Sequence, residues 1–287
     1  HGIGEGDGSM KIQKFSQRRK ISWKKKLLLL CFVCCLPFLL VSPRSMTAQM
    51  LKDSANGTKV MVLNYHKVDN MNISLSVLPK DFDAQMAYLK ENGYTTIAPG
   101  ELYDSLANGT ELPEKPVLIT FDDGYEDNYQ NAYPILKKYG FKATIFVITG
   151  FLDKQKNYLT WQQAQEMEQD GISIESHTVN HKSMTELTDD QLRDELVNSK
   201  KEIEKRLDKK VDFVAYPTGT YNLHIANLVK EAGYKAAFTI KYGNVDKASN
   251  VYALERVPVF HTENTFKSFL ERVRYVPLFE RLGWIKS

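Results

Sequence analysis

The chain has 287 residues, of which 43% are hydrophobic and 25% charged, and this allows one large α/β domain or two small ones. Its formal net charge of +3 comes from the first 50 residues, which hold nine Lys and Arg against two acidic residues, so the remainder has 29 basic and 33 acidic residues. A mildly acidic body argues against a nucleic-acid partner, because phosphate binding needs clustered basic charge.

Residues 1–26 form a basic N-terminal segment, and residues 27–41 form an uncharged, mostly apolar run directly after it. Basic side chains stay on the cytoplasmic face while the apolar run enters the bilayer, so the pattern predicts export of the chain beyond residue 41. The run is short for a spanning helix and Pro37 interrupts it, which leaves a cleaved signal peptide and an uncleaved anchor both open. Because no clean small-x-small cleavage site comes after the run, we expect a single N-terminal membrane anchor with an extracytoplasmic domain, with secretion as the alternative.

All three cysteines, Cys31, Cys34 and Cys35, lie inside this apolar run. A lipid attachment site is disfavoured because no small residue stands just before any of them. The sequence after the run has no cysteine, so it forms neither a disulfide nor a thiolate zinc site. Any metal bound there must have histidine and carboxylate ligands.

Residues 42–58 are polar and are predicted to be a linker, so the folded domain is expected to span residues 59–287. Within it, apolar β-type runs alternate with amphipathic helical stretches. The predicted strands are Val60–Asn64, Val117–Phe121, Ala143–Val147, Ile172–Glu175, Phe213–Tyr216, Ala236–Ile240 and Tyr252–Val259. The predicted helices are Phe82–Glu91, Asn131–Tyr139, Trp161–Gln169, Asp189–Leu207 and Ile225–Ala232. Repeated βα units predict an α/β fold with parallel strands, and their short connections favour a closed (β/α) barrel, irregular or seven-stranded, over an open sheet.

Polar clusters follow four of these strands. Functional residues of parallel βα folds gather at the carboxyl ends of the strands, so we expect the four clusters to meet at one rim. The clusters are Tyr65-His66, Asp122-Asp123-Gly124, Ser176-His177 through His181, and Pro217-Thr218-Gly219.

The carboxylates of Asp122 and Asp123 stand at the end of an apolar strand and precede a glycine that permits a tight turn. Successive side chains of a strand diverge, so one carboxylate can bind a metal while its neighbour faces an attacking water. The same residues are also compatible with a helix N-cap followed by a turn glycine.

His177 and His181 are four residues apart, and on a helical turn this spacing places both imidazoles on one face. Such a pair also occurs by chance on protein surfaces. Together with Asp123 the two histidines make a two-histidine, one-carboxylate site with open positions, the catalytic arrangement. We expect one divalent ion, zinc first, although cobalt, nickel and iron accept the same ligands.

The segments Thr120–Tyr125 and His177–His181 resemble the first and second motifs, TFDDG and H-(S/T)-x-x-H, of the polysaccharide deacetylases of carbohydrate esterase family four. The resemblance covers most of residues 59 to 276. It implies a metal-dependent hydrolase that removes N-acetyl groups from an amino-sugar polysaccharide. Carried over by position, it implies Asp122 as the general base, and Asp123, His177 and His181 as metal ligands.

The third motif of that family, R-x-P-Y-G, corresponds to residues 215–219, which read Ala-Tyr-Pro-Thr-Gly. Pro217 and the glycine are kept, so the backbone N–H of Thr218 is expected to polarise the acetyl carbonyl oxygen. The family's arginine, which orients the base, is replaced. Arg256 on a late strand is a candidate substitute, with a salt bridge at the rim as the alternative.

Residues 62–68, VLNYHKV, resemble the opening strand of the poly-N-acetylglucosamine deacetylases, in which the motif order is circularly permuted. In that branch the early histidine is catalytic, which implies His66, in preference to His261, as the general acid. Tyr125 is expected to stack on a sugar ring, with packing in the barrel as the alternative.

The resemblance therefore implies extracellular poly-β-1,6-N-acetylglucosamine as the substrate. We expect the protein to be a monomer. Peptidoglycan and chitin-like oligomers remain open as substrates. A non-catalytic glycan-binding protein and an amidase that cleaves a peptide–sugar link are the rival functions.

Overall fold

The computed structural model describes residues 59–276. The predicted basic segment 1–26, apolar run 27–41 and linker 42–58 lie outside the described residues, as do residues 277–287. Among the described residues, no helix has both the length and the apolar character needed to cross a membrane.

Strands and helices alternate along residues 59–276. The strands are β1 (Met61–Tyr65), β2 (Lys67–Val68), β3 (Ser76–Val77), β4 (Thr95–Thr96), β5 (Pro116–Asp123), β6 (Ala143–Val147), β7 (Ile172–Ser176), β8 (Phe213–Ala215), β9 (Ala236–Tyr242) and β10 (Leu254–Pro258). The α-helices are α1 (Pro79–Glu91), α2 (Pro99–Asn108), α3 (Tyr133–Tyr139), α4 (Trp161–Gln169), α5 (Asp189–Leu207), α6 (Leu223–Glu231) and α7 (Thr265–Leu270). Shorter π and 3₁₀ turns are Asn128–Ala132, Met184–Glu186, Pro217–Gly219 and Glu271–Tyr275.

Strand β1 closes the barrel, because it pairs in parallel with β5 on one side and with β10 on the other. The ring therefore runs β1, β5, β6, β7, β8, β9, β10 and back to β1, which is seven parallel strands. Strand β4 adds to β5 outside this ring. The predicted (β/α) barrel is confirmed in its seven-stranded form.

Alternate residues of the strands face two different apolar cores. Leu63 and Tyr65 of β1 belong to the core between the strands and the surrounding helices. Val62 belongs to a second core with Phe146 and Phe238 from other strands of the ring. This period of two is what a strand buried on both faces produces. Asn64, two positions after Val62, therefore lies on the same face of β1 as Val62, near the carboxyl end of the strand.

The sequence prediction missed α2, α7 and the two-residue strands β2, β3 and β4. Helix α2 is defined at its start, where Pro99 occupies the first turn and the Glu101 side chain accepts a hydrogen bond from the Ala98 N–H. Two-residue strands are too short to show a period in sequence. The missed elements all lie outside the closed ring.

Candidate metal centre and active site

Three side chains from two strand ends converge at the carboxyl end of the barrel. Asp123 ends β5, whereas His177 and His181 follow β7. The Asp123 Oδ1 atom lies 3.4 Å from Nε2 of His177 and 3.4 Å from Nε2 of His181. Two ligands on a tetrahedral zinc ion lie about 3.4 Å apart, given zinc–ligand bonds of about 2.0–2.1 Å. Both aspartate–histidine distances match this value, and all three ligand atoms lie within 4.8 Å of one another.

The surroundings of these atoms also fit a bound divalent ion. Asp123 Oδ1 is buried and has no hydrogen-bond partner among the described residues, which is costly for a carboxylate oxygen. The Nδ1 atom of His177 donates to the Ala215 carbonyl at 2.8 Å, which directs Nε2 towards Asp123. Two imidazoles and one carboxylate form a donor set that zinc accepts in catalytic sites.

The two histidines do not lie on a helical turn, so that part of the sequence interpretation was wrong. Thr178 and His181 have φ of 67° and 58°, in the left-handed region, so the backbone bends irregularly between the imidazoles. Their ring centroids are nevertheless 4.8 Å apart. Asp123 is left-handed as well, with φ of 77°. Left-handed residues other than glycine concentrate at functional sites, where the surrounding structure holds them in place.

Asp122 is held by a buried guanidinium. Arg256 Nη1 donates to Asp122 Oδ1 at 2.8 Å and Nη2 donates to Oδ2 at 2.7 Å, a bidentate pair. The Arg256 side chain is 0% exposed, and its Nε donates to the Thr239 carbonyl at 2.7 Å. The arginine is therefore a buried ion-pair partner of the Asp122 carboxylate and not an exposed charge.

The protonation state of Asp122 follows from this pairing. Burial by itself raises the pKa of Asp122, but the charges of Arg256 and His177 outweigh burial and hold that pKa well below its usual range. Asn64 Nδ2 adds a hydrogen bond to Asp122 Oδ2 at 3.1 Å. Asp122 is thus an oriented, ionised carboxylate next to the metal-ligand group.

Asn64 is a site residue that the sequence reasoning missed. It is the polar residue in the otherwise apolar strand Met61–Tyr65, and it is buried. A buried amide needs a hydrogen-bond partner, so its occurrence within that strand was a usable indication.

His66 directly follows β1, and the pairing of β1 with β5 brings it to the same rim as Asp122. The register places Tyr65 opposite Phe121, so the next residues along the two strands are His66 and Asp122. Burial lowers the pKa of His66, against the raising effect of the Asp122 and Asp123 charges. Its Nδ1 atom is buried without a hydrogen-bond partner among the described residues, and its carbonyl accepts a hydrogen bond from Asn128 Nδ2.

His261 shares one feature with His66, because its Nδ1 atom is also buried without a hydrogen-bond partner among the described residues. It follows β10, its N–H donates to the Ser74 carbonyl, and it lines a cavity of about 260 Å³ with Lys80, Asp81 and Glu263. The structure thus places His66 at the end of β1, next to the end of β5 that carries Asp122 and Asp123, while His261 lines a cavity formed by other side chains.

The loop after β8 carries the altered third motif. Pro217 is buried, whereas Thr218 is exposed and left-handed, with φ of 57°. Its support is aromatic, because the Tyr216 hydroxyl donates to the Tyr252 carbonyl and its ring stacks on Tyr221. These contacts of Tyr216 stabilise the loop that carries Thr218 at the end of β8.

Tyr125 is half-buried beside the metal-ligand group. Burial raises its pKa, and the Asp123 charge adds to this effect, so the phenol stays protonated. The Lys67 ammonium lies 4.2 Å from the ring centroid, and the Tyr158 ring lies 4.9 Å away. The ring contacts protein groups as the packing alternative expects, while remaining partly open to solvent.

Known proteins resemble this chain over most of the described residues. The polysaccharide deacetylase family matches residues 109–237. YxkH of Bacillus subtilis, which is named for the same family, is 44% identical over 201 residues, covering 70% of this chain and 71% of that protein. The poly-β-1,6-N-acetyl-D-glucosamine N-deacetylase of Staphylococcus aureus is 28% identical over 240 residues, or 74% of this chain and 82% of that one.

A solved structure of similar fold is the Streptococcus pyogenes deacetylase PplD in complex with acetate. It superimposes with a TM-score of 0.72 at 34% sequence identity, covering 76% of this chain and 99% of that one. The sequence likeness and the seven-stranded parallel barrel therefore agree.

Proposed function

This chain belongs to the polysaccharide deacetylase family, and we propose that it hydrolyses the N-acetyl groups of an extracellular amino-sugar polysaccharide with one divalent metal ion. The observation that carries the proposal is the ionised Asp122 carboxylate beside the convergent Asp123, His177 and His181 side chains. A base next to a metal site is the combination that amide hydrolysis requires.

Asp123, His177 and His181 are the proposed metal ligands, with zinc the first candidate and cobalt, nickel or iron compatible with the same atoms. When bound, the ion supplies Lewis-acid polarisation of the acetyl carbonyl and makes water a better nucleophile. The buried, unpartnered Asp123 Oδ1 supports this assignment.

Asp122 is the proposed general base. It accepts a proton from the water that attacks the acetyl carbonyl carbon. Arg256 keeps the carboxylate ionised and fixes its orientation, the role that the missing third-motif arginine has in the family. The Thr218 N–H is the proposed donor to the oxyanion that forms.

His66 is the proposed general acid. As the bond between the acetyl carbon and the sugar nitrogen breaks, His66 donates a proton to that nitrogen, so the products are acetate and a free amino sugar. The pairing of β1 with β5, which brings His66 to the strand end that carries Asp122 and Asp123, supports this role. Tyr125 is the proposed platform for a sugar ring.

Poly-β-1,6-N-acetylglucosamine is the proposed substrate, supported by the likeness to the Staphylococcus aureus enzyme. Peptidoglycan and chitin-like oligomers are the second candidate, because a likeness at 28% identity leaves the glycan linkage open to change. We further propose that the protein acts as a monomer outside the cytoplasm, held at the membrane by residues 27–41, in line with the basic and apolar N-terminal pattern.

Mass spectrometry of defined β-1,6 and β-1,4 N-acetylglucosamine oligomers after incubation with the purified protein tests reaction and substrate together. The expected result is loss of acetyl units from the β-1,6 oligomer with the chain length unaltered. Shortened oligomers or an untouched substrate contradict the proposal. A glycan-binding protein without catalysis retains the oligomer but releases no acetate.

A further inference from the structure

Helix α5 follows the loop that carries His177 and His181 and turns polar residues towards the protein interior. Leu192 and Leu196 on its buried face pack in the apolar core, yet Glu195 and Ser199 are only 6% and 0% exposed. Glu195 and Ser199 are four residues apart, so they are neighbours on one face of the helix. A buried carboxylate destabilises a fold unless it is fully hydrogen bonded. The hydrogen-bond partners of Glu195 therefore indicate what this residue does in the structure.

All the hydrogen-bond partners of the Glu195 carboxylate belong to the loop between the two histidines. Its Oε2 atom accepts from the backbone N–H of Val179 at 2.9 Å and from that of Asn180 at 2.9 Å. Its Oε1 atom accepts from Asn180 Nδ2 at 2.7 Å. Hydrogen bonds to an ionised acceptor are stronger than those between neutral groups. One carboxylate thus fixes the two residues that precede His181.

Ser199 connects α5 to the same loop through a second set of hydrogen bonds. Its Oγ lies 2.8 Å from Ser176 Oγ, and Ser176 Oγ accepts a hydrogen bond from the Thr178 N–H at 3.2 Å. The helix therefore fixes the backbone immediately after His177 as well as the backbone before His181.

The loop needs such support because its backbone is strained. Thr178 and His181 are both left-handed, a conformation that residues with a side chain keep only when neighbouring groups enforce it. From the side opposite Glu195, the N–H of Gly150 donates to the Val179 carbonyl at 2.8 Å. The approach is so close that a Cβ atom on Gly150 would lie 2.4 Å from that oxygen. Hydrogen bonds with Gly150 on one side and Glu195 on the other thus hold the loop in place.

We propose that Glu195 is a positioning residue for the metal centre. Its carboxylate holds the Val179–Asn180 backbone so that the imidazoles of His177 and His181 both face Asp123. Glu195 acts through the loop and not by binding the ion. The inference rests on the metal site of the proposed function.

The test is a calorimetric titration of Zn²⁺ into the metal-free, full-length protein, with the thermal unfolding temperature measured in parallel. Glu195→Ala is expected to weaken zinc binding about 10- to 100-fold, the usual effect of removing a group that orients metal ligands. Glu202→Gln is the matched control, since Glu202 lies on the same helix but pairs with Arg206 on the surface. It is expected to bind zinc as the wild type does.

Glu195→Gln separates hydrogen bonding from charge. The amide oxygen can accept from both backbone N–H groups, and its NH₂ can donate to Asn180 once the Asn180 amide rotates. Zinc affinity is therefore expected to stay close to the wild-type value. A loss as large as that of Glu195→Ala assigns the effect to charge and overturns the positioning role.

A folded Glu195→Ala protein with wild-type zinc affinity also overturns the proposal, because a purely structural residue changes the unfolding temperature alone. If that variant does not fold, Glu195→Asp carries the test. Its shorter side chain cannot reach all three donors, so weakened zinc binding supports the role and unchanged binding overturns it. Absence of zinc binding in the wild type refutes the proposed function instead, so the two failures are distinguishable.

Discussion

Arg256 and Asp122 are 134 positions apart in the sequence and form two hydrogen bonds of 2.8 and 2.7 Å inside the barrel. Each charge is buried and each is the main ionic partner of the other. The pair links Asp122, the proposed base, to the last strand of the ring, so we expect it to affect both stability and catalysis.

Replacing Arg256 with Met leaves the Asp122 carboxylate buried without its cation. We expect the free energy of unfolding to fall by about 3–5 kcal/mol, measured by chemical denaturation. Adding Asp122→Asn in the same chain should recover part of this loss. Lys241→Met is the control, because Lys241 forms an exposed pair with Glu255 and should cost no more than about 1 kcal/mol. Equal costs for the two single variants contradict the buried pair.

Asp122→Asn keeps the shape of the side chain but removes the proton acceptor. We expect kcat for acetate release to fall by about 10²- to 10⁴-fold, the usual contribution of a general base. Zinc affinity should be unchanged, because the proposed ligands are Asp123, His177 and His181. If kcat persists while zinc binding is lost, the base and ligand roles have been assigned to the wrong residues.

Removal of the metal should abolish acetate release, and adding Zn²⁺ or Co²⁺ back should restore it. His181→Ala removes a proposed ligand, so its zinc affinity should fall by more than the roughly 10- to 100-fold expected for a supporting group. His224→Ala serves as the control, since His224 is exposed and bonds Asp189. Full activity in chelator rules out the metal mechanism.

The pH dependence of kcat/KM should be set on its alkaline side by His66. Burial lowers the pKa of His66 below its ordinary 6.5, so the protonated, proton-donating form decreases as pH rises through that lowered value. Under zinc saturation, kcat/KM should therefore fall towards higher pH, and His66→Asn should remove this dependence. A wild-type profile that is flat between about pH 5 and 9 is incompatible with the assignment.

Asp122 should not set the acidic side of that profile. Arg256 holds the pKa of Asp122 so low that the carboxylate remains ionised throughout the working range. Loss of activity in acid should instead follow protonation of the metal ligands and release of the ion. Raising the zinc concentration should then shift the acidic limb to lower pH, and an acidic limb that does not move with zinc concentration argues against ligand protonation.

The barrel could be predicted from sequence because its strands are doubly buried and therefore read as continuous apolar runs. Ala143–Val147 and the helices Trp161–Gln169 and Asp189–Leu207 have the predicted bounds. The predicted strand Tyr252–Val259 is shorter in the structure, where it runs from Leu254 to Pro258. The position of Arg256 depends on a register irregularity between Leu254 and Arg256, and on the last strand joining the first. Neither feature is encoded in a local sequence pattern. The sequence therefore left open whether Arg256 orients Asp122 or forms a salt bridge at the rim.

The site residues also fall into two groups, those that the sequence pattern predicts and those that depend on contacts between distant elements. The spacing of His177 and His181 and the paired aspartates made a metal group predictable, because residue type and strand ends suffice for that. The path of the loop between the histidines was not predictable, since it depends on contacts with Gly150 and Glu195, which lie on other elements. Asn64 was missed because a single amide in an apolar strand was read only as part of that strand.

Closure of the ring by β1 and β10 affects how the protein matures. Synthesis from the N-terminus produces Asp122, Asp123, His177 and His181 well before Arg256. Until β10 arrives, β1 has one unpaired edge and Asp122 has no cation. We therefore expect a fragment that ends before Leu254 to lack the Arg256–Asp122 pair, and with it the group that orients the proposed base. Under the proposed mechanism, docking of the last strand completes the site.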